Sequence, residues 1–410
     1  MRPVALALGL WLALGGAANA ETVVIEADIL HPVSGPAIAN GRVVVVDGLI
    51  RSVGPASGAA PDGARVLRGS VATPGLVDAH TSVGVAGAYN VEADRDEDER
   101  SGPSQAALRA LDAFNPDEPL LRHLLEHGVV VVQTSPGPAN AVAGQAGIFR
   151  THGATADAMA VRPVSALVFN LGETPKQTYV KKKKAPLTRM GTAALIRTAL
   201  LDGREYAAGR ARAGRGGKAA GETPERDLGK EALARVAAGE LPALFVAHRA
   251  DDIVTAIRIA REFNLRFALA GATEGYLVLD ALREAGTPIL VGPVMERVGS
   301  PQTLNASYEN PARLARAGLR IAIRSGYEGY VPRARVVLFE AAVAAANGLG
   351  FDAALHAVTL GPAEALGIED RFGSLEPGKS GEVVLFDGDP FEYTSHVTAV
   401  VSDGSVVFER

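Results

Sequence analysis

Asp78, His80 and Ser82 stand on alternate positions of an apolar run, residues 76–83, that leaves the turn Pro74-Gly75 and stops at Gly84. Alternate residues of a strand share one face, so a carboxylate, an imidazole and a hydroxyl emerge together where the strand opens into a loop. These are the groups of proton transfer, metal ligation and nucleophilic attack. Two features weigh against a serine-hydrolase use of Ser82 beside His80. No glycine pattern of a nucleophile elbow surrounds Ser82, and residues i and i+2 of a strand rarely align as nucleophile and base. The chain has no cysteine, which excludes disulfides, thiolate ligands and a cysteine nucleophile. A metal would have to be held by His, carboxylate or carboxylated Lys.

The elements that position these groups belong to a chain of 410 residues, 47% hydrophobic and 21% charged, enough to bury one large core and a smaller one. A formal net charge of -5 gives no overall basic field, so a small-molecule substrate or ligand is expected rather than nucleic acid. Residues 1–20 read as a signal peptide: Arg2, an apolar stretch over 4–14, and Ala18-Asn19-Ala20 before Glu21. The alternative is an uncleaved N-terminal anchor. A single Arg2 points to the general secretory route and a periplasmic location, with no membrane span after cleavage.

Both ends of the mature chain read as strands. At the start, 22–29 precedes 42–46 and 49–53, which flank Asp47-Gly48; at the end, 382–386 and 397–401 precede Asp403-Gly404 and 406–408. Asp-Gly between β-branched runs is a hairpin signal, because both turn residues take positive φ. Between the ends, apolar runs at 76–79, 129–134, 164–171, 243–247, 266–270, 288–292 and 319–325 alternate with amphipathic stretches, notably 250–263 and 276–285. The class is therefore α/β: an eight-stranded parallel β/α barrel over 74–362, inserted in a small composite β-sandwich made of 21–73 plus 363–410. The eighth strand is expected around 146–151, a run that reads equally as a hairpin on the barrel rim. The acidic run 92–99, the lysines 181–184 and the Gly- and Arg-rich run 203–230 read as solvent-facing loops; a cation site or an acidic-polymer site is the alternative. Asn115-Pro116-Asp117-Glu118-Pro119 reads as a helix-opening turn.

The stretch from Pro74 to Gly84 resembles the first barrel strand of the amidohydrolase superfamily, imidazolonepropionase-like branch, with the pattern P-G-x-x-D-x-H-x-H-x-G. The tail runs Gly373-Ser374-Leu375-Glu376-Pro377-Gly378-Lys379 and Gly388-Asp389-Pro390-Phe391 resemble the same family, and the likeness covers nearly all of the chain after residue 20. The resemblance implies hydrolysis of non-peptide carbon–nitrogen bonds in cyclic amides or imidazolones. It also implies one or two divalent metals, such as zinc, that lower the pKa of a bound water. On this pattern His80 is the first ligand and His248, in Phe245-Val246-Ala247-His248, is the fifth-strand ligand. Glu173, in Gly172-Glu173-Thr174-Pro175-Lys176, is the fourth-strand candidate.

Three positions depart from the pattern. Ser82 replaces the second histidine, Gly271 stands where the sixth-strand histidine is expected, and Gly326 replaces the aspartate that ends the eighth strand. His80, His248 and Glu173 are left to hold one divalent metal; alternatively the histidines are packed rim residues. If position 326 faces the mouth, so does Arg324, whose guanidinium could supply the charge of a metal and bind an anion together with His80, His248 and Ser82. Asp78 or Glu274 would be its counter-charge; the plainer alternative is a structural ion pair with Glu274 or Glu328. Two functions follow from the resemblance and these departures. One is a hydrolase with a reduced or lost metal site; the other is a catalytically silent binding or partner subunit, paired with itself or with an intact paralogue.

Overall fold

The structure, a computed structural model, describes residues 22–89, 91–214, 224–327 and 336–410. Its N-terminal strands are β1 (Thr22–Leu30), β2 (Ile38–Val46), β3 (Leu49–Pro55) and β4 (Arg65–Pro74). Asp47 and Gly48 turn β2 into β3 with φ of 51° and 78°, as that dipeptide requires. The barrel strands follow: β5 (Leu76–Thr81), β6 (Val129–Thr134), β7 (Val142–Arg150), β8 (Ala160–Asn170), β9 (Ala243–Ala247), β10 (Phe267–Gly271), β11 (Ile289–Val291) and β12 (Ile321–Ile323). The chain ends with β13 (Val383–Phe386), β14 (Val397–Ser402) and β15 (Ser405–Glu409), with Asp403-Gly404 as the second left-handed hairpin.

Both chain ends build one continuous sheet in the order β15-β14-β13-β4-β1-β2-β3. β4 is the seam: it runs parallel to β1 on one side and antiparallel to β13 on the other. Alternation divides β4, β13 and β14 between two cores, while β1, β2 and β3 serve one of them. Val23, Ile25, Val43, Val45, Val383 and Leu385 close over a core of their own, while Val71, Val384, Phe386 and Val400 pack on the barrel side.

The second sheet holds the eight strands β5 to β12 in chain order. All neighbouring pairs are parallel except those of β7, which runs antiparallel to both β6 and β8. The expectation of an all-parallel barrel is thus corrected at its third strand. The reason is connection length: a parallel neighbour needs a crossover of a dozen or more residues, and only 135–141 and 151–159 flank β7. The ring closes where Thr81 bridges Gly326 and the Gly326 N–H donates to the His80 carbonyl at 2.9 Å. Every residue of β5, β6 and β9 is buried, as in a barrel covered on both faces.

Two loop expectations are corrected. The basic run 203–230 is largely helical: one helix spans Arg189–Gly214 and another Leu228–Ala237, with 215–223 outside the described residues. Ala, Arg, Leu and Glu are good helix formers, and Gly203 is where the two helices touch, since a Cβ there would meet Leu233 Cβ at 2.7 Å. The acidic run 92–99 is exposed at Glu92, Asp96 and Glu99, as expected, but turns inward at Glu97 and Asp98. Arg95 Nη2 donates to Glu97 at 2.8 Å, and Asp98 Oδ1 accepts the Ala139 N–H at 2.9 Å, pairing a loop backbone at the mouth that no strand satisfies. The turn before Pro119 opens a short helix, Pro119–Leu125, and Glu118 Oε2 accepts the Gly84 N–H at 2.9 Å. Among the described residues, no helix is long and apolar enough to cross a membrane.

Candidate functional site

The C-terminal ends of the barrel strands deliver side chains from different elements to one mouth. His80 is the last residue but one of β5 and Ser82 follows the strand; His248 follows β9, Glu296 lies in the loop after β11, and Arg324 follows β12. All five line a cavity of about 240 Å³. A hollow of about 280 Å³ lies at the opposite end of the barrel, around Pro288, Leu319 and Ile321 at the starts of strands; its walls are mainly apolar and carry no such convergence of polar groups.

Asp78 lies beneath this cavity, fully buried. Its carboxylate accepts the N–H groups of His80 at 3.2 Å and Ser325 at 3.1 Å, and the Ser325 hydroxyl. It clasps the ends of β5 and β12. Burial pushes its pKa up to about 6 against the opposing hydrogen bonds from Ser325 and His80.

The donors around His80 fix its tautomer. Arg324 Nη1 lies 2.6 Å from His80 Nδ1, and a guanidinium can only donate, so Nδ1 accepts. The ring proton is then on Nε2, which donates to Ser135 Oγ at 2.7 Å; Ser135 donates onward to the Pro136 carbonyl at 3.1 Å. Burial first, and then the Arg324 guanidinium and the neighbouring His248, hold His80 well below the ordinary histidine range, so the ring is neutral.

Arg324 is 3% exposed, and its Nε donates to the Gly292 carbonyl at 2.9 Å. Burial lowers its pKa to about 10, opposed by Glu296, Asp78 and Glu340, so it stays charged at neutral pH. Among the described residues no carboxylate comes within 4 Å of the guanidinium. Glu274 is not its counter-charge. That carboxylate faces the other way, accepting the Ala250 N–H and an Asn305 amide N–H, each at 2.8 Å, at the start of helix Ala250–Glu262, where a negative charge is favoured. Glu328 lies outside the described residues.

The two glycines that depart from the family pattern are both occupied by neighbours. A Cβ at Gly326 would lie 3.1 Å from Arg324 Cζ and Nη1, and one at Gly271 would lie 3.1 Å from His248 Cε1 and Nε2. Both have positive φ, 72° and 93°. Arg324 and His248 fill the volume from which an aspartate and a histidine are missing.

His248 heads a chain that the sequence reading missed. Thr273 Oγ1 donates to Glu296 Oε2 at 2.7 Å, so it accepts from His248 Nδ1, also at 2.7 Å. Burial opposes ionisation of Glu296, but the adjacent His248 and the hydrogen bond from Thr273 hold its carboxyl below the ordinary value. Thr273 stands two residues after Gly271 and was within reach of the strand-end pattern. Glu296 carries no pattern; its only signal is the turn Gly292-Pro293, which marks a strand opening at the mouth.

Glu173 begins the helix Glu173–Val180, and its N–H donates to Gln302 Oε1 at 3.2 Å; its neighbour Thr174 lines the cavity instead. Among the described residues no three His, Asp or Glu side chains are grouped to hold a metal ion. The donor set does not fit one either. Both nitrogens of His80 are engaged, one by a permanent cation that would repel a divalent ion at the same place.

Comparison with known proteins agrees with this architecture. The profile of the amidohydrolase family matches residues 230–408. The crystal structure of an amidohydrolase from Thermotoga maritima MSB8 is 33% identical, superposes with a TM-score of 0.89, and covers 95% of this chain and 100% of its own. This chain belongs to the amidohydrolase family of hydrolases. The curated relative amidohydrolase tasK of Hapsidospora irregularis is 25% identical over 401 residues, 90% of this chain; the chain spans 40% of that relative's length. A zinc-bound adenosine deaminase from Xanthomonas campestris, 17% identical with a TM-score of 0.53 over 94% of this chain and 92% of its own, shares the fold.

Proposed function

We propose that this amidohydrolase works at its barrel mouth without a metal, as a small-molecule binding or partner subunit rather than as a hydrolase driven by metal-bound water. The observation that carries the reading is the Arg324 guanidinium 2.6 Å from His80 Nδ1. A charge that a divalent ion would bring is supplied by a side chain, and the histidine that would ligate the ion is spent on that side chain. Export to the periplasm and pairing with a second copy or with an intact paralogue complete the proposal.

Metal content by mass spectrometry tests it, on protein purified without chelator and after reconstitution with zinc or manganese, beside His248→Ala. The expected result is background metal in both. Near-stoichiometric metal that disappears in His248→Ala would overturn the reading.

One observation favours a second reading, hydrolysis of non-peptide carbon–nitrogen bonds in cyclic amides or imidazolones. The chain His248, Thr273, Glu296 orients an imidazole with its Nδ1–H engaged, which leaves the Nε2 lone pair as a base. Turnover of a cyclic amide by metal-free protein, reduced at least about a hundredfold in Thr273→Val, would favour this second reading.

A further inference from the structure

Arg324 and Glu296 are opposite charges in the wall of one cavity, yet among the described residues they form no ion pair within 4 Å. Two desolvated opposite charges gain by closing on each other, and each left alone carries a desolvation cost. Here each is held back by other bonds. Arg324 Nε and Nη1 are fixed by the Gly292 carbonyl and His80 Nδ1, and Glu296 Oε2 is fixed by the Thr273 hydroxyl. That leaves Nη2 of the guanidinium and Oε1 of the carboxylate, whose contact with His248 Nδ1 is 3.6 Å, beyond a hydrogen bond. Ser82, Asn170 and Gln302 beside them are uncharged, and His248 and Tyr327 also stand in the polar wall.

We propose that the mouth is a site for a small zwitterion, with a carboxylate on Arg324 and an ammonium group on Glu296. This deepens, and rests on, the metal-free reading above. The cavity discriminates by charge pairing. A monoanion satisfies Arg324 but meets the Glu296 carboxylate, and a monocation satisfies Glu296 but meets the guanidinium. Either brings a like charge up to one wall group and offers it no opposite charge. A molecule with both groups pairs both walls, and the spacing between its ends is set by the span from Nη2 to Oε1.

Calorimetric titration of the full chain tests this with ω-amino acids from glycine to 6-aminohexanoate. Each is compared with the carboxylic acid and the amine that lack its second charge, such as hexanoate and hexylamine. At least one length is expected to bind about tenfold or more tighter than both partners. Glu296→Gln retains an acceptor for Thr273 and removes the charge; it should bring that zwitterion and its acid to within about threefold of each other. Arg324→Gln should do the same for the zwitterion and the amine. Where a melting curve shows Arg324→Gln unfolded, Glu296→Gln alone decides. No binding of any length, equal affinity for zwitterion and acid in the parent chain, or a preference that survives Glu296→Gln overturns the proposal. Metal content is measured on the same samples. A metal-free chain without charge discrimination sinks this inference alone, whereas stoichiometric metal sinks the reading beneath it.

Discussion

A Cβ on residue 326 would fall 3.1 Å from the guanidinium carbon of Arg324, in a backbone conformation with φ of 72°. The glycine and the arginine are one substitution in physical terms, because the absence of a side chain at 326 is what lets the guanidinium lie across the mouth. Gly326→Ala is expected to cost about 1–3 kcal/mol, from left-handed strain and from displacement of the guanidinium. In Arg324→Ala/Gly326→Ala the contact is gone and the strain remains, so the double variant should be less destabilised than the sum of the singles. Urea midpoints of the four proteins decide it; strict additivity would show that the contact carries no energy.

The same geometry predicts that restoring family residues one at a time does not restore a metal. Gly326→Asp meets Arg324, and Gly271→His meets His248 and the Ala247 carbonyl, where φ is 93°. Both should be destabilised, and their metal content should stay at background while Arg324 is present. A single reversion that binds zinc stoichiometrically would mean that the guanidinium does not block the site.

His80 reports on its neighbour directly. Its basicity is depressed by burial and then by the adjacent Arg324 charge. Arg324→Ala removes the second cause and leaves the first, so the His80 pKa is expected to rise towards the ordinary histidine value without reaching it. Its tautomer should also loosen, since Nδ1 no longer accepts from a fixed donor. Nitrogen-15 NMR of the ring reads both, and an unmoved titration curve would sink the contact.

Stability should depend on pH through opposing groups. Asp78 and Asp252, both raised to about 6 by burial from 3.8, bind protons more tightly in the fold than in the unfolded chain. Their contribution is complete below about pH 3.8 and is lost as pH rises through about 6. His80 acts in the other direction: it is neutral in the fold, so its contribution is present above 6.5 and is lost as pH falls. Asp78→Asn isolates one of these groups. The stability of the parent chain relative to this variant should fall by on the order of 3 kcal/mol between pH 4 and 6 and stay flat above, in urea unfolding at each pH. A difference that is constant across that window would remove Asp78 from the account.

How far the sequence could be read varies with how local the signal was. The Asp-Gly hairpins and the apolar runs of β5, β6 and β9 are legible because turn chemistry and burial act within a few residues. β4 escaped because Arg68, Gly69 and Ser70 interrupt its apolar alternation, and its strand character comes from β1 and β13 on either side. The reversal of β7 follows from two short connections rather than from its own residues. At the mouth, the strand ends announced His80, His248 and Arg324. Glu296 could not be found that way, because its role arises from a loop folding back onto Thr273 and His248, a contact with no periodicity along the chain.

The barrel and the terminal sheet are joined by an ion pair that the same limit hid. Arg150, at the end of β7, reaches Glu382 Oε1 at 3.3 Å and Asp403 Oδ1 at 2.9 Å. The Glu382 side chain is only 3% exposed and also accepts the Ser380 hydroxyl at 2.8 Å, so its charge depends on protein partners rather than on water. Arg150→Ala strands that carboxylate and should cost about 3–5 kcal/mol. Glu382→Gln alone should cost less, because the exposed Asp403 still pairs with the arginine. The double variant is then expected to fall close to Arg150→Ala or above it in stability, a coupling measurable by chemical denaturation. If the two losses simply add, the pair does not hold the terminal sheet to the barrel, and the apolar contacts of Val384, Phe386 and Val400 carry that junction alone.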